Sequence, residues 1–304
     1  MMVRNRFFWT SVAMAYVTTL SGCGSNVHSS NPPVVVQSSG HIARIYPTAR
    51  GTERASAPAA NGVMWVLAGT SHAQALYPLE LTARTVGKGI PLNASTNAVG
   101  RLPAGPLFTA EGGSHPQLVW RSPISGQRTG TLSLPGVAVS LAAGQGGRHV
   151  YALCLTADHT ESVVVIDTGN RPNISATWNV PSNTISLAPT PSARHLYTLS
   201  TNGQVNEWSL RTHQMTSQFS VGQSGRSLII NLAGTTLYAL KGRHHIRNIA
   251  VVPLATESVS HVLAAPAYAR QIVMPANGRE IYVVVGNHAY GNIQEITGIG
   301  GHGS

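Results

Sequence analysis

One spacing constrains this chain more than any other feature. An aromatic residue that opens an apolar run recurs as Trp65, Phe108, Tyr151, Tyr197, Tyr238 and Tyr282, at intervals of 43, 43, 46, 41 and 44 residues. Four places before each stands a small or turn-forming residue: Asn61, Ala104, Gly147, Ala193, Gly234 and Gly278. A period of this length marks a supersecondary unit that cannot bury its own apolar faces and must stack on copies of itself.

Each unit divides into four short strands. In the third they are 138–142, 150–155, 162–166 (closed by Asp167-Thr168-Gly169) and 175–180. In the fourth they are 184–187, 195–199, 204–210 and 215–221, and the Asn202-Gly203 pair is a strong hairpin signal. Four strands in roughly 40–45 residues is the signature of a β-propeller blade. The expected fold class is therefore all-β, a propeller of six four-stranded blades over residues 41–299. The 263 residues after position 41 accommodate six units at this period rather than seven. Composition agrees: 31 Gly and 18 Pro suit a turn-rich β fold, while 42% hydrophobic and 10% charged residues exclude both a disordered chain and a polytopic membrane protein.

The sixth unit is incomplete. It offers 270–274, 280–285 and 292–296, then only the glycine-rich tail, of which 300–304 reads as disordered. Ahead of the first unit, His41-Ile-Ala-Arg-Ile-Tyr-Pro47 has the character of an outer strand. Pairing it with the last blade would close the ring and remove the exposed edges of an open one.

Three segments resemble the YVTN family of β-propellers. They are Ser-Leu-Ala-Pro-Thr-Pro-Ser-Ala-Arg-His-Leu-Tyr at 186–197, Val-Val-Val-Ile-Asp at 163–167, and Tyr77-Pro-Leu-Glu-Leu with Thr85-Val-Gly-Lys-Gly-Ile-Pro91. They are similar to that family's P-x-G-x-x-[apolar]-Y, V-x-V-I-D and T-x-x-V-x-x-[IV]-P strands, although the Y-V-T-N tetrad is absent. The resemblance covers 41–299 and implies a β-propeller; such propellers often have seven blades, whereas the length available here allows six.

The N-terminus is an address. Arg4 and Arg6 precede an apolar stretch from 7 to 17, followed by Leu20-Ser21-Gly22-Cys23. This is the layout of a secretory signal, too short to span a membrane comfortably. The last four residues resemble a bacterial lipobox, which implies a signal peptide at 1–22 and lipidation of Cys23. Membrane attachment through several acyl chains follows, each buried methylene contributing about 0.8 kcal/mol. Gly24, where Asp would favour inner-membrane retention, implies an outer-membrane destination in a Gram-negative source. Residues 23–40, rich in Ser, Asn, Pro and Gly, read as a flexible tether. Lipidation would leave Cys154, in an apolar run, as an unpaired buried thiol.

The chemistry-bearing motifs are missing. The sequence holds no H-E-x-x-H, G-x-S-x-G, P-loop, C-x-x-C or G-x-G-x-x-G. Basic residues number 20 and acidic residues 10, with Lys88 and Lys241 the only lysines. The arginines stand singly along the chain, which reads as a solvated basic surface rather than a nucleic-acid site. Asp167, at a strand end, reads as a turn cap.

One distribution stands out. In a propeller, the loops joining second and third strands share one face. Here they fall at 69–74, 110–117, 156–161, 200–203, 241–247 and 286–291, and they hold His72, His115, His159, His244, His245 and His288, six of the 13 histidines. Glu111, Asp158 and Glu161 share these loops. The functional reading is a binding face whose charge changes near the ordinary imidazole pKa of about 6.5; the alternative is ordinary polar hairpin loops. No catalytic residue, cofactor or metal site is expected. The expected function is a lipid-anchored extracytoplasmic scaffold binding an envelope protein or an anionic glycan. A subunit of an envelope assembly and a propeller-type hydrolase or lactonase are the alternatives.

Overall fold

A computed structural model describes residues 36–38, 41–70, 73–92, 95–103, 105–144, 146–243, 245–275, 277–286 and 290–299. The signal segment, Cys23, and His72, His244 and His288 lie outside the described residues. Every regular element among those described is a strand, and the strands form six sheets.

The chain is a six-bladed β-propeller. Blade 1 comprises Thr52–Ala55, Val63–Thr70 and Ala73–Glu80, with a broken outer edge of Thr85–Val86 and Ile90–Leu92. Blade 2 is Thr96–Arg101, Leu107–Glu111, Gln117–Arg121 and Arg128–Ser133. Blade 3 is Val137–Ala143, His149–Leu155, Glu161–Asp167 and Asn173–Asn179. Blade 4 is Thr184–Pro189, His195–Ser200, Gln204–Ser209 and Met215–Ser220. Blade 5 is Gly225–Ile230, Thr236–Lys241, Arg247–Pro253 and His261–Ala265. Blade 6 takes Ala269–Val273, Ile281–Gly286 and Gly291–Thr297 from the C-terminal end and His41–Pro47 from the N-terminal end.

Burial explains the sequence pattern. Each blade is sandwiched between two others, so its middle strands are buried on both faces and read as continuous apolar runs. His-Val-Tyr-Ala-Leu-Cys-Leu at His149–Leu155 has five consecutive buried residues. Outer strands face water on one side and alternate instead, as in Arg128–Ser133 and Met215–Ser220. The six repeat aromatics are all buried, from Phe108 at 0% exposure to Tyr282 at 5%. Cys154 is free and buried, and burial pushes its thiol up to about 12, so it is unreactive at neutral pH.

The small residue ahead of each aromatic has a backbone reason. Gly147, Ala193, Gly234 and Gly278 adopt left-handed φ of 67°, 52°, 70° and 65°. Each N–H there donates to the carbonyl three residues back, closing the turn between inner and second strands. In blade 1 the turn falls one residue later than expected, on Gly62 rather than Asn61.

The tether reading needs one correction. Val36–Ser38, within the stretch expected to be a flexible tether, pairs in parallel with His261–Ala265 of blade 5. Val36 has the β propensity that the surrounding Ser, Asn and Pro lack.

The Asn202-Gly203 turn in blade 4 does more than join two strands. Gly203 has φ 86°, and a Cβ there would stand 1.7 Å from the Gly222 carbonyl oxygen. Gly203→Ala should therefore cost about 3 kcal/mol, combining left-handed strain with displaced backbone. Urea unfolding measures it, and an unchanged midpoint would refute the tight contact.

Candidate functional site

The start of each inner strand and the loop between second and third strands lie at the same end of a blade. Val137 pairs with Leu155, and Gly225 with Lys241. These ends together form one face of the ring, called the upper face below.

All six inner strands carry a β-bulge at this end. The register shifts fall between Thr52 and Arg54, Thr96 and Ala98, Ala138 and Ser140, Thr184 and Ser186, Gly225 and Ser227, and Ala269 and Gln271. The inserted residues are Glu53, Asn97, Val139, Ile185, Arg226 and Arg270. A bulge bends its strand and re-aims side chains. The residue after it often joins blades: the Ser186 hydroxyl accepts the Leu228 N–H at 3.0 Å, Ser227 accepts that of Ile272 at 3.2 Å, and the Gln271 amide oxygen accepts that of Ala55 at 2.8 Å.

The upper face holds an open cavity of about 810 Å³, formed by blades 1, 4, 5 and 6. Arg54, Arg226, Arg243, Arg247 and Arg270 line it, with Thr201, Asn202, Ser224 and Tyr268. Arg226 and Arg270 are bulge residues at equivalent repeat positions, and ring closure sets Arg54 of the first blade beside the last. Arg54, Arg247 and Arg270 are half-buried; Arg226 and Arg243 are exposed. The Arg270 Nε–H donates to the Gly286 carbonyl at 2.7 Å, and the Arg243 Nε–H to the Ser224 hydroxyl at 3.0 Å. Buried Nε and Nη1 of Arg247 have no hydrogen-bond partner.

These cations press on one another. Burial lowers the Arg54 guanidinium pKa, Glu53 opposes that, and Arg270 and Arg226 lower it further. Burial lowers that of Arg247 too, with Arg226 and Arg270 adding to it. All ten side-chain carboxylates of the chain are among the described residues, and none forms an ion pair with these five arginines.

At the cavity, Tyr268 adopts left-handed backbone with φ 60°, uncommon for a bulky residue. Its ring meets His245 edge-on, centroids 4.8 Å apart, and Tyr290 at 6.0 Å. The Tyr268 hydroxyl and His245 Nε2 are 3.4 Å apart.

The residues expected to form a binding face divide accordingly. His115, His159 and His245 are exposed on the upper loops, but only His245 adjoins the cavity. The three acids are each bonded within the fold. Glu111 is buried in an ion pair with Arg121 at 2.9 Å. Asp158 accepts from the Thr156 hydroxyl and the Thr160 N–H, and the Thr156 bond leads in holding its carboxyl below the usual range. Glu161 reaches from blade 3 to accept the backbone N–H groups of Asn183 and Thr184, at 2.9 and 2.6 Å. Loop carboxylates beside free backbone donors are captured by them, which the loop grouping could not reveal. The reading of the arginines as singly scattered is corrected too, since five converge on one cavity. Equivalent repeat positions 226 and 270, both Arg, were the available sequence signal. No group of three or more metal-ligating side chains occurs among the described residues.

No protein-family model matches the chain, and no curated protein matches it. Among solved structures it is similar to hydrazine synthase of Kuenenia stuttgartiensis, with 11% identity, 86% of this chain and 77% of that chain covered, and a TM-score of 0.58. At that identity the likeness concerns the fold alone.

Proposed function

We propose that this chain is a lipid-anchored, extracytoplasmic propeller of YVTN-type repeats, whose upper face binds an anionic component of the cell envelope. The observation that carries the binding reading is the cavity: five guanidinium groups around one opening, with no carboxylate among the lining residues. Such a concentration of one sign of charge in a cleft attracts anions and raises their local concentration. The lining supplies hydrogen-bond donors suited to holding a ligand. The lipobox-like Leu20-Ser21-Gly22-Cys23 supports the anchor, and the propeller would present the face to the envelope.

Two measurements test this. Labelled palmitate should enter the wild type and not Cys23→Ser, and equal labelling would remove the lipid anchor. The full-length protein in detergent should be retained on an immobilised anionic polysaccharide and released as salt rises, because exposed charges are screened over about 8–10 Å at physiological ionic strength. Equal retention on an uncharged polysaccharide would remove the anionic partner.

A further inference from the structure

The cavity arginines do not serve the fold by pairing within it. A half-buried guanidinium normally meets a carboxylate or a full set of acceptors, because desolvating it otherwise costs free energy. Arg121 shows that solution in this chain, bonded to Glu111, Thr109 and Gly126. Arg247 does not: its Nε and Nη1 are buried without an acceptor. Arg226 and Arg270 press instead on both Arg54 and Arg247, and Glu53 offsets this at Arg54. Cations held against their own repulsion in a cavity await a counter-charge from outside.

We propose that the cavity is a receptor for a small anion, or a chain terminus, carrying at least two phosphate or carboxylate groups. This deepens the binding reading above and rests on it. Two acidic groups fit because Arg54, Arg226, Arg247 and Arg270 line the cavity from three blades, so that one group cannot meet them all. Phosphate and carboxylate share the geometry that a guanidinium fork reads bidentately. Arg247 lines the cavity with its Nε and Nη1 buried and without an acceptor, Arg226 is exposed, and Arg54 and Arg270 are half-buried in the same lining. Arg243 is held by Ser224 and Arg270 by Gly286, each through Nε–H, so the remaining N–H groups of both are fixed in direction. Tyr268, propped by His245 and Tyr290, offers an aromatic surface beside the charges. The cavity of about 810 Å³ lies within the range of roughly 300–1,000 Å³ that small-ligand sites occupy.

The test is titration calorimetry on the full-length protein in detergent, with two probes. Inorganic pyrophosphate represents a compact phosphate anion, and trigalacturonate the carboxylate-bearing end of an acidic glycan. At least one should bind with one-to-one stoichiometry, and more weakly as salt rises. Binding of pyrophosphate alone assigns phosphate, binding of trigalacturonate alone assigns the glycan terminus, and binding of both assigns acidic-group recognition irrespective of source. Arg226→Gln with Arg247→Gln should weaken binding at least tenfold. The same pair should leave the ligand-free melting temperature unchanged or raise it by a degree or two, since it removes repulsion. A lower melting temperature would assign these arginines to the fold and overturn the proposal. So would binding that the two substitutions do not weaken. Retention on the anionic polysaccharide without binding of either probe would leave the upper face as a binding surface and overturn the small-anion receptor.

Discussion

Removing residues 24–50 should leave a protein that does not fold, whereas removing 24–35 should leave the melting temperature nearly unchanged. The difference is the outer strand of blade 6. His41–Pro47 pairs with the third strand of that blade along its length, from His41 opposite Thr297 to Pro47 opposite Asn292. Tyr46 is the anchor, 1% exposed, with its hydroxyl donating to Glu295 at 2.8 Å. Its ring lies 6.2 Å from that of Tyr282, and it shares a core cluster with Met64 and Val66 of blade 1. Losing the strand therefore opens the edge of blade 6 and strips its seam with blade 1 together. Tyr46→Ala alone should cost about 3–5 kcal/mol, the usual range for removing a large buried aromatic. An intermediate deletion of 24–40 takes, among the described residues, the three-residue parallel pairing on blade 5 and should fall close to the milder variant. Thermal unfolding of the three truncations decides the matter. If the deletion through residue 50 melts like the shortest one, the N-terminal strand does not close the ring.

The propeller was legible because its signal is local and repeated. A blade buried on both faces must be apolar in its middle strands, and its turn must be small where φ is positive, so Trp65 to Tyr282 and Gly147 to Gly278 announce themselves. Even the closing strand could be anticipated, because the sixth unit lacked one strand and the N-terminal segment supplied a surplus. The cavity was not legible in the same way. Arg54 and Arg270 lie 216 positions apart and meet only because the ring closes. The bulges that insert Arg226 and Arg270 follow no simple alternation, since the inserted residues range from glutamate to valine. Grouping loops by face singles out histidines and acids by their clustering in sequence, whereas the cavity arginines converge only in three dimensions. The acids were already bound to Arg121, to a loop's own N–H, or to the next blade.

Arg121→Met should destabilise the protein by about 3–5 kcal/mol, the usual cost of removing one partner of a buried ion pair. The guanidinium is 7% exposed and its bonds are all internal: Nη2 to Glu111 at 2.9 Å, Nε to the Thr109 hydroxyl at 3.0 Å and Nη1 to the Gly126 carbonyl at 3.1 Å. Glu111, at 3% exposure, also accepts from the Gln117 amide at 3.2 Å. Without Arg121 that carboxylate loses its ion-pair partner, and the Gln117 amide carries no full positive charge. Pairing the change with Glu111→Leu removes the other member of the pair, and should recover most of the loss, because apolar groups of similar volume replace buried ion pairs at little cost. The measurement is urea unfolding of the single and double variants at neutral pH. A double variant no more stable than Arg121→Met would show that Arg121 acts through its packing and its bonds to Thr109 and Gly126, and that Glu111 is not the group its charge serves.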